Sequence, residues 1–329
     1  MALRTARRRL PISAPPGVGC FAMRRWAQST HLAGLLVLTA AAAACGRSGR
    51  GPAAGATQVT DDARRSVTVP APARRIVSLS PAVTELVFAL GAGDRLVGRT
   101  RWCDYPPSAR AVPSVGDGLN PNVEAVAARQ PDLVVLYPSA LNATAAAQLG
   151  RLGIAAVLLR QDRLEDLAHT ARLLGPVVGR VAAGDSLAAA LRALVAQPPP
   201  PAPPSPRPGR QRVVFVTWDN PPVVIGGGSY LDELATLAGA ANVFHDVAAA
   251  SAVVGLETIA TRDPDVIVWL RDSVGPEPPP FARRAEWQVI GAVRARRFVY
   301  LTGSLFGRPS PRAAQAAREL RGLLAAVGP

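Results

Sequence analysis

Two distant stretches of the chain have nearly the same sequence: NPNVEAVAARQPDLVVL at residues 120–136 and LETIATRDPDVIVW at residues 256–269. In both, small and apolar residues predict a helix, Pro-Asp predicts a turn, and the following apolar run predicts a buried strand. Aligned without a gap, the copies share these pairs: Glu124 and Glu257, Ala127 and Ala260, Arg129 and Arg262, Pro131 and Pro264, Asp132 and Asp265, and Val135 and Val268. The repeat predicts one helix–turn–strand unit in each half of the chain.

Strands and helices alternate on both sides of each copy. In the first half, strands are predicted over 74–80, 95–100, 132–138 and 154–159, with further helices over 81–91 and 142–153. In the second half, strands are predicted over 212–218, 265–270 and 296–303, helices over 230–240 and 309–327, and a loop over 220–229. This alternation predicts an α/β fold with two lobes, in which helices cover a mainly parallel sheet.

The segment between the two halves has no predicted strand. One helix is expected over 162–175, ended by Gly175-Pro176, and a second, long helix over 180–197. The Pro-rich run at 198–210 is expected to be an extended surface segment. The predicted domains are therefore an N-terminal lobe at 73–160, a helical connector with its Pro-rich segment at 161–210, and a C-terminal lobe at 211–329.

The N-terminus has the pattern of an export signal. Arg24 and Arg25 precede an apolar run that ends in small residues and Cys45, which is the order of a secretory signal. A cysteine after small residues is also typical of a bacterial lipoprotein signal, although Ala42 stands where leucine is usual. Residues 1–45 are thus predicted to be a signal with lipidation at Cys45, and 46–72 a flexible tether. A cleaved signal with an incidental cysteine and an uncleaved anchor are the alternatives, and translation starts at Met1 or Met23.

Composition argues against several classes of protein. The net charge is +14 over 329 residues, but the arginines are scattered, whereas a nucleic-acid-binding protein concentrates them on one surface. Three cysteines and three histidines show no metal-ligand spacing, and Cys103 is expected to be unpaired. The IGGGSY run lacks the lysine of a phosphate-binding loop, and no nucleophile elbow is present. The sequence therefore favours a protein that is not an enzyme.

Five motifs occur in one order along the chain: RIVSLSPAVTE at 75–85, CDYPP at 103–107, the two copies of the repeat, and SLFGRPSPR at 304–312. From about residue 73 to the C-terminus, this order resembles the periplasmic-binding-protein family for vitamin B12, heme and iron siderophores, and most closely its vitamin B12-binding members. The resemblance implies two Rossmann-like lobes joined by a long backbone helix, with the ligand cleft between them. It also implies small lobe closure on ligand binding.

The resemblance places the ligand in loops at the strand ends, where this chain offers aromatic and charged residues. The expected ligand-binding residues are Trp102, Asp104, Tyr105, Trp218, Asp219, Tyr230, Phe306 and Arg308. Aromatic rings suit a flat macrocycle, and an arginine suits an amide, phosphate or carboxylate. The chain departs from vitamin B12 binders at VGDGLNPN (115–122), which lacks an expected tryptophan. A corrinoid is the first expectation, and heme or a ferric siderophore remains open.

The resemblance also gives the repeat a function. In the family, one glutamate on each lobe docks with arginines of the membrane permease, and Glu124 and Glu257 hold those positions. The implied protein is a monomeric, envelope-located solute-binding component of an ABC importer. Its partners are the permease with its ATPase and a metal chelate, and it has no permanent cofactor. An envelope scaffold and a subunit of a metallocluster enzyme are the alternatives from other classes.

Overall fold

A computed structural model of the protein describes residues 55–201, 208–271 and 278–327. The predicted signal at 1–45, including Cys45, lies outside the described residues, as does the middle of the Pro-rich run. In the parts that the structure describes, no helix has both the length and the apolar character needed to cross a membrane.

The chain first forms an antiparallel hairpin of β1 (Ala56–Thr60) and β2 (Ser66–Pro70). The prediction of a flexible tether up to residue 72 is therefore wrong for this segment. The turn between the strands is fixed by Asp61, whose buried carboxylate accepts hydrogen bonds from the backbone N–H groups of Arg65 and Leu158 at 2.9 and 3.1 Å. The Arg65 guanidinium also pairs with Asp61 at 2.6 Å. These contacts attach the hairpin to the N-terminal lobe.

Replacing Asp61 with asparagine should lower the free energy of unfolding by about 1–2 kcal/mol, because a charge-assisted acceptor is lost. Burial alone would raise the pKa of Asp61, but the hydrogen bonds from Arg65 and Leu158 outweigh it and hold the pKa below its ordinary value. The folded state therefore releases this proton more readily than the unfolded state does. The stabilisation is present above about pH 4, the ordinary aspartate range, and is lost as pH falls through the lower folded pKa.

Urea unfolding of the wild type and the Asp61→Asn variant between pH 3 and 7 measures this effect. The difference between the two proteins should shrink as the pH falls below 4. A difference that stays constant down to pH 3 would contradict the role assigned to the carboxylate.

The N-terminal lobe is a parallel four-stranded sheet with helices on both faces. Its strands lie in the order β4-β3-β5-β6. Hydroxyl or amide side chains of Ser80, Asn122 and Ser139 cap its three α-helices, as expected for residues that favour N-cap positions. The elements are β3 (Ile76–Ser78), α1 (Pro81–Ala89), β4 (Leu96–Arg99), α2 (Val123–Ala127), β5 (Leu133–Leu136), α3 (Ala140–Arg151) and β6 (Ala155–Leu158).

The connector contains the two predicted helices, α4 (Leu164–Val177) and α5 (Val181–Ala196), which pack against each other. The first helix does not end at Gly175-Pro176, because Pro176 lies inside its last turn. Gly175 and Gly184 lie where the two helices cross. A Cβ on Gly184 would come within 2.6 Å of the Ala171 carbonyl oxygen, so a larger residue does not fit this crossing.

The C-terminal lobe is a mixed sheet in the order β10-β8-β7-β11-β12, with β9 paired to β7. The predicted loop at 220–229 contains strand β8, which forms an antiparallel hairpin with β7. The four residues of this strand, which follow a proline turn, are too few to show the apolar pattern from which a strand is predicted. The elements are β7 (Arg212–Asp219), β8 (Pro222–Ile225), α6 (Tyr230–Leu237), β9 (Ala241–Asn242), β10 (Ser251–Val253), α7 (Leu256–Thr261), β11 (Val266–Arg271), α8 (Gly291–Arg294), β12 (Phe298–Thr302) and α9 (Ala313–Val327). The two-lobed α/β fold predicted from the sequence is confirmed.

The repeated sequence forms the same turn in both lobes. Asp132 accepts hydrogen bonds from the backbone N–H groups of Arg74 and Arg75, at 2.8 and 3.0 Å, just before β3. Asp265 accepts one from the N–H of Arg212, at 2.8 Å, at the start of β7. The aspartate of each copy thus fixes the start of the neighbouring strand.

An arginine completes each turn. Arg75 donates to the carbonyl oxygens of Arg129 and Gln130, and Arg212 donates to those of Arg262 and Asp263, so both cap the end of the preceding helix. Gln130 and Asp263, at equivalent positions, have φ of 48° and 42°, a left-handed conformation that ends each helix. The turn and the aspartate of the repeat therefore have a structural role.

Candidate functional site

A cleft of about 920 Å³ lies between the two lobes. It is lined mainly by residues at the carboxyl ends of parallel strands, which is where ligands usually bind in open α/β sheets. Ser80, Trp102 and Tyr137 follow β3, β4 and β5 in one lobe. In the other lobe the cleft wall is formed by the ends of β7, β11 and β12. The cleft volume lies within the range of small-molecule sites.

Two tryptophans from opposite lobes line this cleft and remain exposed. Trp102 is 54% exposed and Trp218 is 61% exposed, which is unusual for a residue of this type. Both side chains are nevertheless held by neighbours: the indole N–H of Trp218 donates to the Asn220 carbonyl oxygen at 2.9 Å, and the Trp102 ring lies beside Arg101 and Asp117. The rings are therefore held in place while their apolar surfaces stay open to a ligand.

The loop beside Trp102 is ordered by Asp117. The backbone N–H of Leu119 donates to this carboxylate at 2.8 Å, and Arg101 pairs with it at 2.7 Å. The Leu119 hydrogen bond is the main cause of the lowered pKa of Asp117, with Trp102 and Arg101 adding to it against desolvation. Arg101 also lies 4.9 Å from the centroid of the Trp102 ring, which supports the ring from one side.

Charged residues of the cleft are paired across it or along its rim. Arg308 bonds to Asp104 at 2.6 Å and to Glu85 at 2.8 Å, and Asp219 bonds to Arg284 at 2.5 Å. Burial raises the pKa of Asp104, but the hydrogen bond and charge of Arg308 outweigh it, so the net shift is downward. The charges in this part of the cleft therefore offset one another before any ligand enters.

Six of the eight predicted ligand residues line the cleft: Trp102, Asp104, Trp218, Asp219, Phe306 and Arg308. The other two predicted residues are both tyrosines, and neither lines the cleft. Tyr105 stacks against Arg312, whose guanidinium carbon is 3.6 Å from the ring centroid. Tyr230 is 2% exposed at the start of α6, and burial raises the pKa of its hydroxyl well above the ordinary value. The structure thus does not bring Tyr105 and Tyr230 into the cleft lining.

Several lining residues were missed by the sequence analysis: Leu119, Tyr137, Gln161, Trp269 and Arg271. Trp269 was visible as the last residue of the second repeat, at the carboxyl end of a predicted strand. Leu119 lies in the segment 115–122, where the family resemblance predicts a tryptophan, and it is 76% exposed at the cleft. The Tyr137 hydroxyl donates a hydrogen bond to the Asp162 carboxylate at 2.9 Å. Burial first, and this hydrogen bond second, raise the pKa of the Tyr137 hydroxyl to about 12.

The two repeated glutamates lie on short helices outside the cleft lining. Glu124 is the second residue of α2, and Glu257 is the second residue of α7. Both are exposed, and neither carboxylate has a hydrogen bond or ion pair with any described residue. A carboxylate at this position interacts favourably with the helix dipole. That interaction does not occupy the carboxylate oxygens, which can still bond to a partner.

Two α/β lobes, a connector of helices and an aromatic cleft between strand ends define a two-lobed binding protein. The chain belongs to the periplasmic binding protein family, whose model matches residues 76–305. A vitamin B12-binding protein of Vibrio parahaemolyticus is 28% identical over 255 residues, covering 76% of this chain and 88% of that protein. An uncharacterized ABC transporter substrate-binding lipoprotein of Bacillus subtilis is 28% identical over 271 residues, covering 80% and 83%. A periplasmic heme-binding protein solved with two hemes is 25% identical, with a TM-score of 0.64 over 77% of this chain and 98% of that one.

Proposed function

We propose that this protein is the solute-binding component of an ABC importer, and that it captures a metal chelate, with a corrinoid as the first candidate. The observation that carries the proposal is the pair Trp102 and Trp218, which are exposed in opposite walls of one cleft and are each held by neighbouring residues. Flat apolar rings fixed on both sides suit a rigid macrocycle, since little side-chain entropy is lost on binding.

The charge pattern favours a corrinoid over a carboxylate-bearing tetrapyrrole. Arg308 and Arg284 are each bonded to an aspartate of the cleft, so neither enters the complex as an unpaired cation for a propionate. A ring with amide substituents can instead exchange hydrogen bonds with these pairs without separating them. The relatives named vitamin B12-binding proteins support the same choice, and the heme-binding structure supports the alternative of an iron chelate.

Glu124 and Glu257 are proposed to dock the two lobes on the permease. Both carboxylates are exposed and have no partner among the residues that the structure describes, and the repeat gives them equivalent positions in the two lobes. A permease with two related halves would meet them with two arginine sites. The protein would be exported, anchored through Cys45 and monomeric, and its work would be binding and delivery rather than catalysis.

Calorimetric titration of the purified full-length protein with cyanocobalamin, cobinamide, hemin and a ferric hydroxamate siderophore tests the substrate. We expect one-to-one binding of a corrinoid. Binding of hemin or the siderophore alone would replace the corrinoid by an iron chelate and keep the two-lobe mechanism. If folded protein binds none of the four, the chelate proposal is wrong and an envelope scaffold becomes the better candidate.

A further inference from the structure

A cluster of charged and aromatic side chains around one buried glutamate, which we name the clasp, joins the two lobes. It consists of Glu85, Asp104 and Tyr105 from the N-terminal lobe and Arg308 and Arg312 from the C-terminal lobe. The side chain of Glu85 is 2% exposed, and those of the two arginines are 15% and 14% exposed. We propose that Glu85 is a positioning residue: it fixes the separation of the lobes and holds Arg308 in the cleft wall.

Glu85 uses both of its oxygens to bind the opposite lobe. Oε1 accepts from Arg308 Nε at 2.8 Å and from Arg312 Nη2 at 3.0 Å, and Oε2 accepts from Arg312 Nε at 2.9 Å. The fork of Arg312 thus grips the carboxylate with two hydrogen bonds, a geometry that fixes direction as well as distance. Sliding or rotation of one lobe against the other would break these bonds.

The remaining bonds of the clasp reach the rim of the cleft. Arg308 donates from Nη2 to Asp104 at 2.6 Å and from Nη1 to the Trp102 carbonyl oxygen at 3.4 Å. Arg312 covers the ring of Tyr105 at 3.6 Å, which gives this tyrosine a function outside the ligand contacts. Arg308 itself lines the cleft, so the orientation imposed by Glu85 is transmitted to the ligand surface.

The lobes are also joined through the connector, because buried apolar residues of both lobes and of the connector form one core. The start of the connector is bonded to the C-terminal lobe. The N–H of Tyr230 donates to the Asp162 carbonyl oxygen at 2.7 Å, and Arg163 pairs with Glu233 at 3.0 Å. With the connector alone, the lobes could still rotate about it. The clasp is a second connection at a different place, and it prevents that rotation. The clasp therefore sets the width of the cleft before ligand binds. The lobes need to move little on binding, so the free-energy cost of closing them is small.

This inference explains two motifs that are more than 200 residues apart. RIVSLSPAVTE ends with Glu85, and SLFGRPSPR contains both Arg308 and Arg312. A buried carboxylate is costly unless it is paired and hydrogen-bonded, so its partners must occur with it. The three side chains form one unit, and the loss of Glu85 would leave Arg308 with Asp104 alone and Arg312 without its charged partner in the clasp.

Distance measurements between spin labels on the two lobes test the clasp without any ligand. Labels at Arg151→Cys and Arg318→Cys, both exposed, report the separation of α3 and α9 in full-length protein that also carries C20S, C45S and C103S. Wild-type lobes should give one narrow distance distribution. Glu85→Gln should broaden it or shift it, and the matched surface variant Glu319→Gln should leave it unchanged.

The second readout is binding of cyanocobalamin or hemin, and this arm alone rests on the proposed function. If the Glu85→Gln protein holds the competent cleft width a tenth of the time, its Kd should rise roughly tenfold. An unchanged distance distribution in folded Glu85→Gln protein would overturn the inference. Should that variant fail to fold, Arg312→Lys, which keeps the charge but removes the two-bond fork on Glu85, should still broaden the distribution, and no broadening there would overturn it equally.

Discussion

Alanine at both Trp102 and Trp218 should weaken binding of the chelate about a thousandfold. Truncating a tryptophan at the centre of a binding surface costs about 2 kcal/mol or more, which is roughly a thirtyfold rise in Kd. The two rings belong to different lobes and have different neighbours, so their losses should add. The change should appear mainly in the dissociation rate, because contacts within a bound complex set residence time.

Calorimetry on the two single variants and the double variant measures this effect. Leu152→Ala removes a side chain that is 60% exposed and outside the cleft lining, and it should bind like the wild type. Phenylalanine at either position should retain part of the affinity, since an apolar ring face remains while the indole N–H is lost. A double alanine variant that is folded and binds within threefold of the wild type would contradict the map of the cleft.

The sequence predicts the fold well because periodicity and turn residues act locally. The repeat identifies the strand and turn of each lobe, and the structure gives the reason: Asp132 and Asp265 each bond to the backbone at the start of a neighbouring strand. Short elements escape this reasoning. Strand β8 and the hairpin of β1 and β2 are held by pairing with the adjacent strand, and neither carries a long apolar pattern of its own.

The site is harder to predict, because residue type does not show which way a side chain faces. Trp102 and Trp218 lie in the cleft as expected, but Tyr230, an equally plausible aromatic residue, lies in the core. Arg308 was expected to meet a ligand directly, and the structure shows that its guanidinium already bonds to Glu85 and Asp104. Glu85 was invisible as a site residue, since a lone glutamate on a helix carries no pattern that indicates a partner over 200 residues away.

Reversing the charge at Glu124 or Glu257 should abolish transport and leave ligand binding intact. Arginine at either position would face the proposed arginine sites of the permease, and placing like charges together at an interface costs several kcal/mol. Neither carboxylate has a partner among the described residues, so the substitutions remove no internal contact of that part of the chain. The repeated aspartates Asp132 and Asp265 have a structural function in the turn, whereas these two glutamates have no such function among the described residues.

Uptake of labelled ligand by cells that carry the importer, together with calorimetry on each purified variant, measures both effects. Uptake should fall at least tenfold for Glu124→Arg and for Glu257→Arg, while Kd stays within twofold of the wild type. Glu319→Arg makes the same charge change at an exposed position of α9 and should transport normally. Restoring uptake by an arginine-to-glutamate change in the permease would identify the contact directly, because it recreates a pair of opposite charges with the signs exchanged. Weakened ligand binding in a folded Glu124→Arg protein would instead place this helix in the ligand site and reject the docking role.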